Sequence, residues 1–305
     1  MRIHHLNCVT MCPPGGRLMD GRKRPKGVPA ALVCHCLLIE TERGLVMVDT
    51  GFGLEDVRNR EERLSPLFRN FLCRPQLNEE MTAIRQIERL GFKAEDVRDI
   101  ILTHLDFDHA GGLDDFPQAR VHLMAAEAQA AEAQRTWLDR NRFRPRQWST
   151  RPNWVTYEAP RGEAWFGFEC VRELQGLPPE LLLVPLVGHT LGHTGVAVRQ
   201  ADGWLLHAGD AYFFHGEMNP REHWCTPGLR FYQLLMQKDG KLRRWNQERL
   251  RELVRLHDRD VRVFCAHDAK EFERIQEDVE AHEPHALRGL STVEPMDEVQ
   301  PPAPL

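Results

Sequence analysis

"ILTHLDFDHAGGL" (residues 101–113) closes an apolar run and then sets His104, Asp106, Asp108 and His109 within six positions, just ahead of Gly111 and Gly112. Side chains placed where a strand stops are held by rigid backbone yet remain free to converge. Neutral imidazoles and ionised carboxylates suit zinc, iron and manganese, and a site for two metals needs about five to eight such ligands. A polar loop gathers one of these residues by chance; four together at a strand end read as a metal site. The two glycines are expected to let the chain turn tightly behind them.

Outward from this stretch, strands and helices alternate. "ALVCHCLLIET" and "GLVMVDTGFG" form a hairpin through the turn at "ERG". "MTAIRQIERLGFKAEDV" has Ile84, Ile87 and Leu90 at helical spacing with Gly91 as a stop. "VRDIILT" is a strand ending at His104, and "HLMAAEAQAAEAQRTWL" is a helix by propensity. "ELLLVPLVG", "TGVAVRQADGWLLHAGD" and "DVRVFCAHD" supply further strands. The pattern predicts one domain over residues 1–283, with a helical and loop excursion around 124–155 whose Arg- and Trp-rich part, Arg140 to Trp154, is irregular and covers a pocket. Residues 284–305 read as a loose, Pro-rich polar tail.

Composition narrows the function classes. The 305 residues are 42% hydrophobic and carry a net charge of −5 without a run of like charges, so no nucleic-acid partner is expected, although "RNRFRPRQW" could meet an acidic ligand. No apolar stretch is long enough to span a membrane, the N-terminal stretch lacks the apolar core of a signal peptide, and the eight cysteines form no disulfide pattern. A cytoplasmic protein acting on a small molecule is expected, and nothing in the sequence sets its oligomeric state.

Three distant segments add a ligand type after an apolar run: "LVGHTLGHTG" with His189 and His193, "LLHAGDAYF" with Asp210, and "VFCAHD" with His267. With Asp49 in "VMVDTG" and the "HLDFDH" run, the chain resembles the metallo-β-lactamase fold superfamily of metallohydrolases from about Val33 to Asp268, with Asp106 standing where a second His is usual. The resemblance implies an α/β fold, a four-layer αββα sandwich of two mixed sheets flanked by helices. It implies two divalent metals, zinc first, with His104, Asp106 and His189 on one, Asp108, His109 and His267 on the other, and Asp210 bridging. Asp49 would orient ligands through hydrogen bonds. A metal-bridging hydroxide would then attack a substrate carbonyl, with Asp108 and Asp210 as catalytic carboxylates. Because Asp106 adds a negative charge, iron or manganese is an alternative occupant; if Asp106 falls short of the metal, a single-metal site remains at Asp108, His109 and His267.

Order and spacing are closest to acyl-homoserine-lactone lactonases, which implies lactone or ester hydrolysis, with Tyr212 meeting the carbonyl and Phe214 lining the pocket. His193 precedes a strand and reads as structural or as a support for the ligands. His207 and His122 read as packed histidines. Strand alternation accounts for Cys34, His35 and Cys36, and the same reading covers His4, His5, Cys8 and Cys12. Two other functions on this fold are a phosphodiester hydrolase and a di-iron oxidoreductase. The second also places a carboxylate at the Asp106 position, but no segment here could supply its flavin domain.

Overall fold

The computed structural model describes residues 1–282 apart from 24, 26, 150–152 and 159–161. Two six-stranded mixed sheets face each other. The first runs β1 (Arg2–Asn7), β2 (His35–Thr41), β3 (Gly44–Val48), β4 (Val97–Ile101), β5 (Arg120–Met124) and β6 (Asn153–Tyr157) in spatial order. The second contains β7 (Glu163–Trp165), β8 (Phe168–Glu173), β9 (Leu181–Pro185), β10 (Thr194–Gln200), β11 (Gly203–His207) and β12 (Val261–Phe264), ordered from β12 at one edge to β7 at the other. β3 to β6 pair in parallel, as do β11 and β12, and the remaining pairs are antiparallel.

Side-chain alternation divides each strand between two cores. Leu37 and Ile39 of β2 and Val46 and Val48 of β3 face Leu181, Leu183, Val196 and Val198 between the sheets. Their alternates, Cys36, Leu38, Leu45 and Met47, pack outward with Ile87 of the helix Ala83–Arg89 and Ala131 of the helix Ala125–Ala133. On the other outer face, Val184, Ala197 and Leu206 meet Leu250 and Leu253 of the helix Gly240–His257. Full burial of each such aliphatic side chain contributes about 1.5–3 kcal/mol, so a central strand dry on both faces requires the apolar runs that made these segments legible. The layers are those of the αββα sandwich.

Two expectations for the excursion change. The stretch "HLMAA" begins as strand β5, and the helix starts only at Ala125. The described part of Arg140 to Trp154 is also more regular than expected: it contains the end of the helix Trp137–Arg142, a turn of 3-10 helix at Pro145–Trp148 and the start of β6. Two fully buried polar side chains, Arg142 and Gln147, pin it beneath the site. Residues 284–305 lie outside the described residues. Every candidate metal-site loop leaves the C-terminal end of a strand: Asp49 follows β3, His104 to His109 follow β4, His189 follows β9, Asp210 follows β11 and His267 follows β12. Those ends share one edge of the sandwich.

Candidate metal centre

Asp210 lies at the middle of the cluster, each carboxylate oxygen facing a different set of imidazoles. Oδ2 is 3.3 Å from His189 Nε2 and 3.7 Å from His104 Nε2, while Oδ1 is 3.0 Å from His267 Nε2 and 3.3 Å from His109 Nε2. Ligand atoms of His104, Asp106, His189 and Asp210 form one group, and those of His109, Asp210 and His267 another, each within 4.8 Å. Asp108 approaches the second group, 3.6 Å from His267 Nε2. Burial alone would push the Asp210 carboxyl up, but His267, His109 and His189 hold it well below the usual carboxylate range. His104 Nε2 and Asp210 Oδ1 are buried without a hydrogen-bond partner among the described residues. Orphaned, convergent nitrogen and oxygen donors of this kind fit divalent metals.

The backbone and neighbouring side chains hold these donors in place. Asp49 adopts a left-handed backbone conformation (φ 55°), accepts hydrogen bonds from the amide and hydroxyl of Thr103, both at 2.8 Å, and lies 2.8 Å from His109 Nδ1. With that nitrogen protonated, His109 Nε2 is turned toward Asp210. His193 Nε2 accepts from the Asp210 amide at 2.9 Å, and its Nδ1 donates to the Leu186 carbonyl at 3.0 Å, so it sets the Asp210 loop rather than entering either group. His267 Nδ1 donates to the Val33 carbonyl at 2.7 Å. These bonds fix imidazole orientation in the way metal-bound histidines require.

A sequence model described as the metallo-beta-lactamase superfamily matches residues 30–267. The chain belongs to that superfamily. It is 42% identical to a probable metallo-hydrolase of Mycobacterium tuberculosis over 273 residues, 88% of this chain and 80% of that one. It is 31% identical to an N-acyl homoserine lactonase of Bacillus cereus over 264 residues, 85% of this chain and 92% of the relative. In fold it is similar to an N-acyl homoserine lactone hydrolase solved with N-hexanoyl-L-homoserine at its catalytic metal centre. That likeness has a TM-score of 0.65 and 23% identity, over 89% of this chain and 95% of the other.

Against the superfamily pattern, Asp106 is the departure, and its surroundings revise the charge argument. Arg142, fully buried, donates from Nε to Asp106 Oδ1 at 2.6 Å and from Nη2 to Oδ2 at 2.5 Å. A third bond, from Nη1 to the Met236 carbonyl at 2.7 Å, fixes the guanidinium. Burial opposes ionisation of Asp106, and Arg142 overrides it, holding the carboxyl well below its usual range. The added negative charge is therefore matched by an added positive one, which removes the charge-based reason to favour iron or manganese. Asp106 Oδ2 also lies 3.0 Å from His189 Nε2, so the same carboxylate belongs to the cluster and to the ion pair.

Tyr212 requires correction. Its hydroxyl donates to Glu271 at 3.0 Å, and its ring packs with Leu250, Leu253 and Val261 in the outer core. The neighbouring residue Phe213 takes the place beside the cluster, its ring stacked on His267 at 5.3 Å. Another phenol, that of Tyr232, packs on Phe213 at 5.6 Å and places its hydroxyl 3.7 Å from Cys73 Sγ; burial, then Cys73 and Asp108, push its pKa well above the usual range. The glycines also serve another purpose. Gly111 turns with ordinary backbone angles, and a Cβ there would fall 2.2 Å from Asp56 Oδ2 and 2.6 Å from the Gly51 carbonyl, so it is small for close packing.

Sequence reasoning gave no role to two residues that hold the cluster, Arg142 and Glu127. Glu127, wholly buried, accepts from the Leu105 amide at 3.0 Å and from the Gly192 amide at 3.0 Å, tying the two ligand loops together. An acidic residue inside an Ala-rich helix gives no signal of that role.

Proposed function

We propose that this protein is a metal-dependent hydrolase of lactones or esters, holding two divalent metals with zinc as the first choice. The observation that carries the reading is Asp210, whose two oxygens address two separate sets of buried imidazoles. His104, Asp106 and His189 would hold one metal, and Asp108, His109 and His267 the other. Bound there, such metals lower the pKa of water and polarise a carbonyl oxygen. Asp108 carries a carboxylate placed to take a proton as water adds to the carbonyl and to return it to the departing alkoxide. Tyr232 supplies the phenol that meets the substrate carbonyl, the role the sequence had pointed to at Tyr212. The cavity beside His267, about 300 Å³, has an apolar side of Leu32, Phe213, Phe214, Trp224 and Leu229 and a polar side that includes Arg22, Asp268 and Lys270, which suits a substrate with an apolar chain and a polar group.

The lactonase relative and the product-bound neighbour support a lactone over other carbonyl substrates. The test is turnover of N-acyl homoserine lactones of graded chain length, aryl esters and phosphodiesters, before and after chelation. Lactone or ester turnover that is lost on chelation and restored by zinc is expected, with Tyr232→Phe lowering kcat about 10²-fold. Chelator-insensitive turnover, or a preference for phosphodiesters, would overturn the reading.

A further inference from the structure

Cys34 precedes β2, and both its neighbours are tied to the segment that carries His267. The Val33 carbonyl accepts from His267 Nδ1 at 2.7 Å, and the His35 amide donates to the Ala266 carbonyl at 2.9 Å. Its own amide donates to Asn7 Oδ1 at 3.1 Å, and its carbonyl accepts from the Cys8 amide at 2.8 Å. Held on all sides, Cys34 brings Sγ to a ring nitrogen of His267 and a carboxylate oxygen of Asp108, the three atoms lying within 4.8 Å of one another. The thiol is free and 2% exposed. Asp210 Oδ1, buried without a hydrogen-bond partner among the described residues, lies 3.0 Å from the Nε2 of the same His267. Cys36 belongs to the outer core, whereas Cys34 packs in a separate apolar cluster with Phe52, Phe107 and Phe213 and meets the metal-site carboxylate and imidazole as well.

We infer that Cys34 is a thiolate ligand of the metal held by Asp108, His109 and His267. The inference rests on the reading that the cluster holds metals. Forming the sulfur–metal bond releases the thiol proton to solvent. Burial and then the Asp108 charge push the pKa of the thiol well above the usual range. Thiolate ligation selects zinc over manganese, so the half of the cluster next to Cys34 becomes the zinc-selective one. Other nearby thiols are differently placed: Cys73 Sγ lies 3.7 Å from the Tyr232 hydroxyl, and Cys8 packs with Leu6 and Leu38.

The test is cobalt(II) loading of the metal-free protein. A near-ultraviolet thiolate-to-cobalt band is expected in the wild type and in Cys73→Ala. It should vanish in Cys34→Val while the visible cobalt bands remain. Visible bands without the thiolate band in the wild type, or a thiolate band that survives Cys34→Val, would overturn the inference and leave the metal reading intact. Failure to take up any cobalt would overturn both. Should Cys34→Val not fold, X-ray absorption of the zinc-loaded wild type decides: a sulfur neighbour at about 2.3 Å is expected, and nitrogen and oxygen neighbours alone contradict it.

Discussion

The two halves of the cluster draw on one six-residue run, yet they are built differently. Around His104, Asp106 and His189 the surroundings are ionic: a buried guanidinium grips Asp106 and reaches His189 Nε2 at 2.8 Å. Around Asp108, His109 and His267 they are softer, with the Cys34 thiol on one side and the Phe213 ring stacked on His267. Asp210 joins them. The contrast teaches that a departure from a family's ligand pattern has to be read together with its compensating neighbour. Asp106 alone suggests a weakened, less positive site, whereas the Asp106–Arg142 pair is close to neutral.

The largest effect is expected at the joint. Asp210→Ala should abolish hydrolysis and strip metal from both halves, measured as turnover and metal per chain. If it emptied one half only, Asp210 would not be the bridge. Next comes the buried pair. Arg142→Met should destabilise the fold by about 3–5 kcal/mol in denaturant unfolding, because it strands a buried carboxylate. Adding Asp106→His should recover much of that loss, since imidazole needs no counter-ion; Asp106→His with Arg142 intact should cost stability by setting a cation against a ligand nitrogen. Additive changes across this cycle would show the two residues to be uncoupled. Smaller still is His193→Ala, which loosens the Asp210 loop: metal affinity should fall about 10–100-fold while the number of sites is kept. Emptied sites would instead make His193 a ligand.

Much of this was legible because strand ends announce themselves. The strands β3, β4, β9, β11 and β12 read as apolar runs, and the His and Asp residues just beyond them are those the fold gathers. β1 was not, since an edge strand reading Arg-Ile-His-His-Leu-Asn has no continuous apolar run and is recruited by pairing with β2. The start of β5 was hidden by the Ala-rich helix that follows it. Arg142 lies 36 residues from Asp106 in a segment whose composition reads as exposed, so only the tertiary fold reveals that this arginine is buried. Tyr212 failed for a local reason: in the turn beyond β11 its hydroxyl is taken by Glu271 in the outer core, and the ring beside His267 is that of Phe213.

The central claim is that one carboxylate joins two unlike metal positions. Calorimetric titration of zinc into the metal-free protein tests it most directly, run on the wild type, His189→Ala, Asp108→Ala and Asp210→Ala. Two unequal binding steps are predicted for the wild type, one removed by His189→Ala, the other by Asp108→Ala, and both by Asp210→Ala. A single step in the wild type, or two steps that every variant weakens alike, would contradict the account.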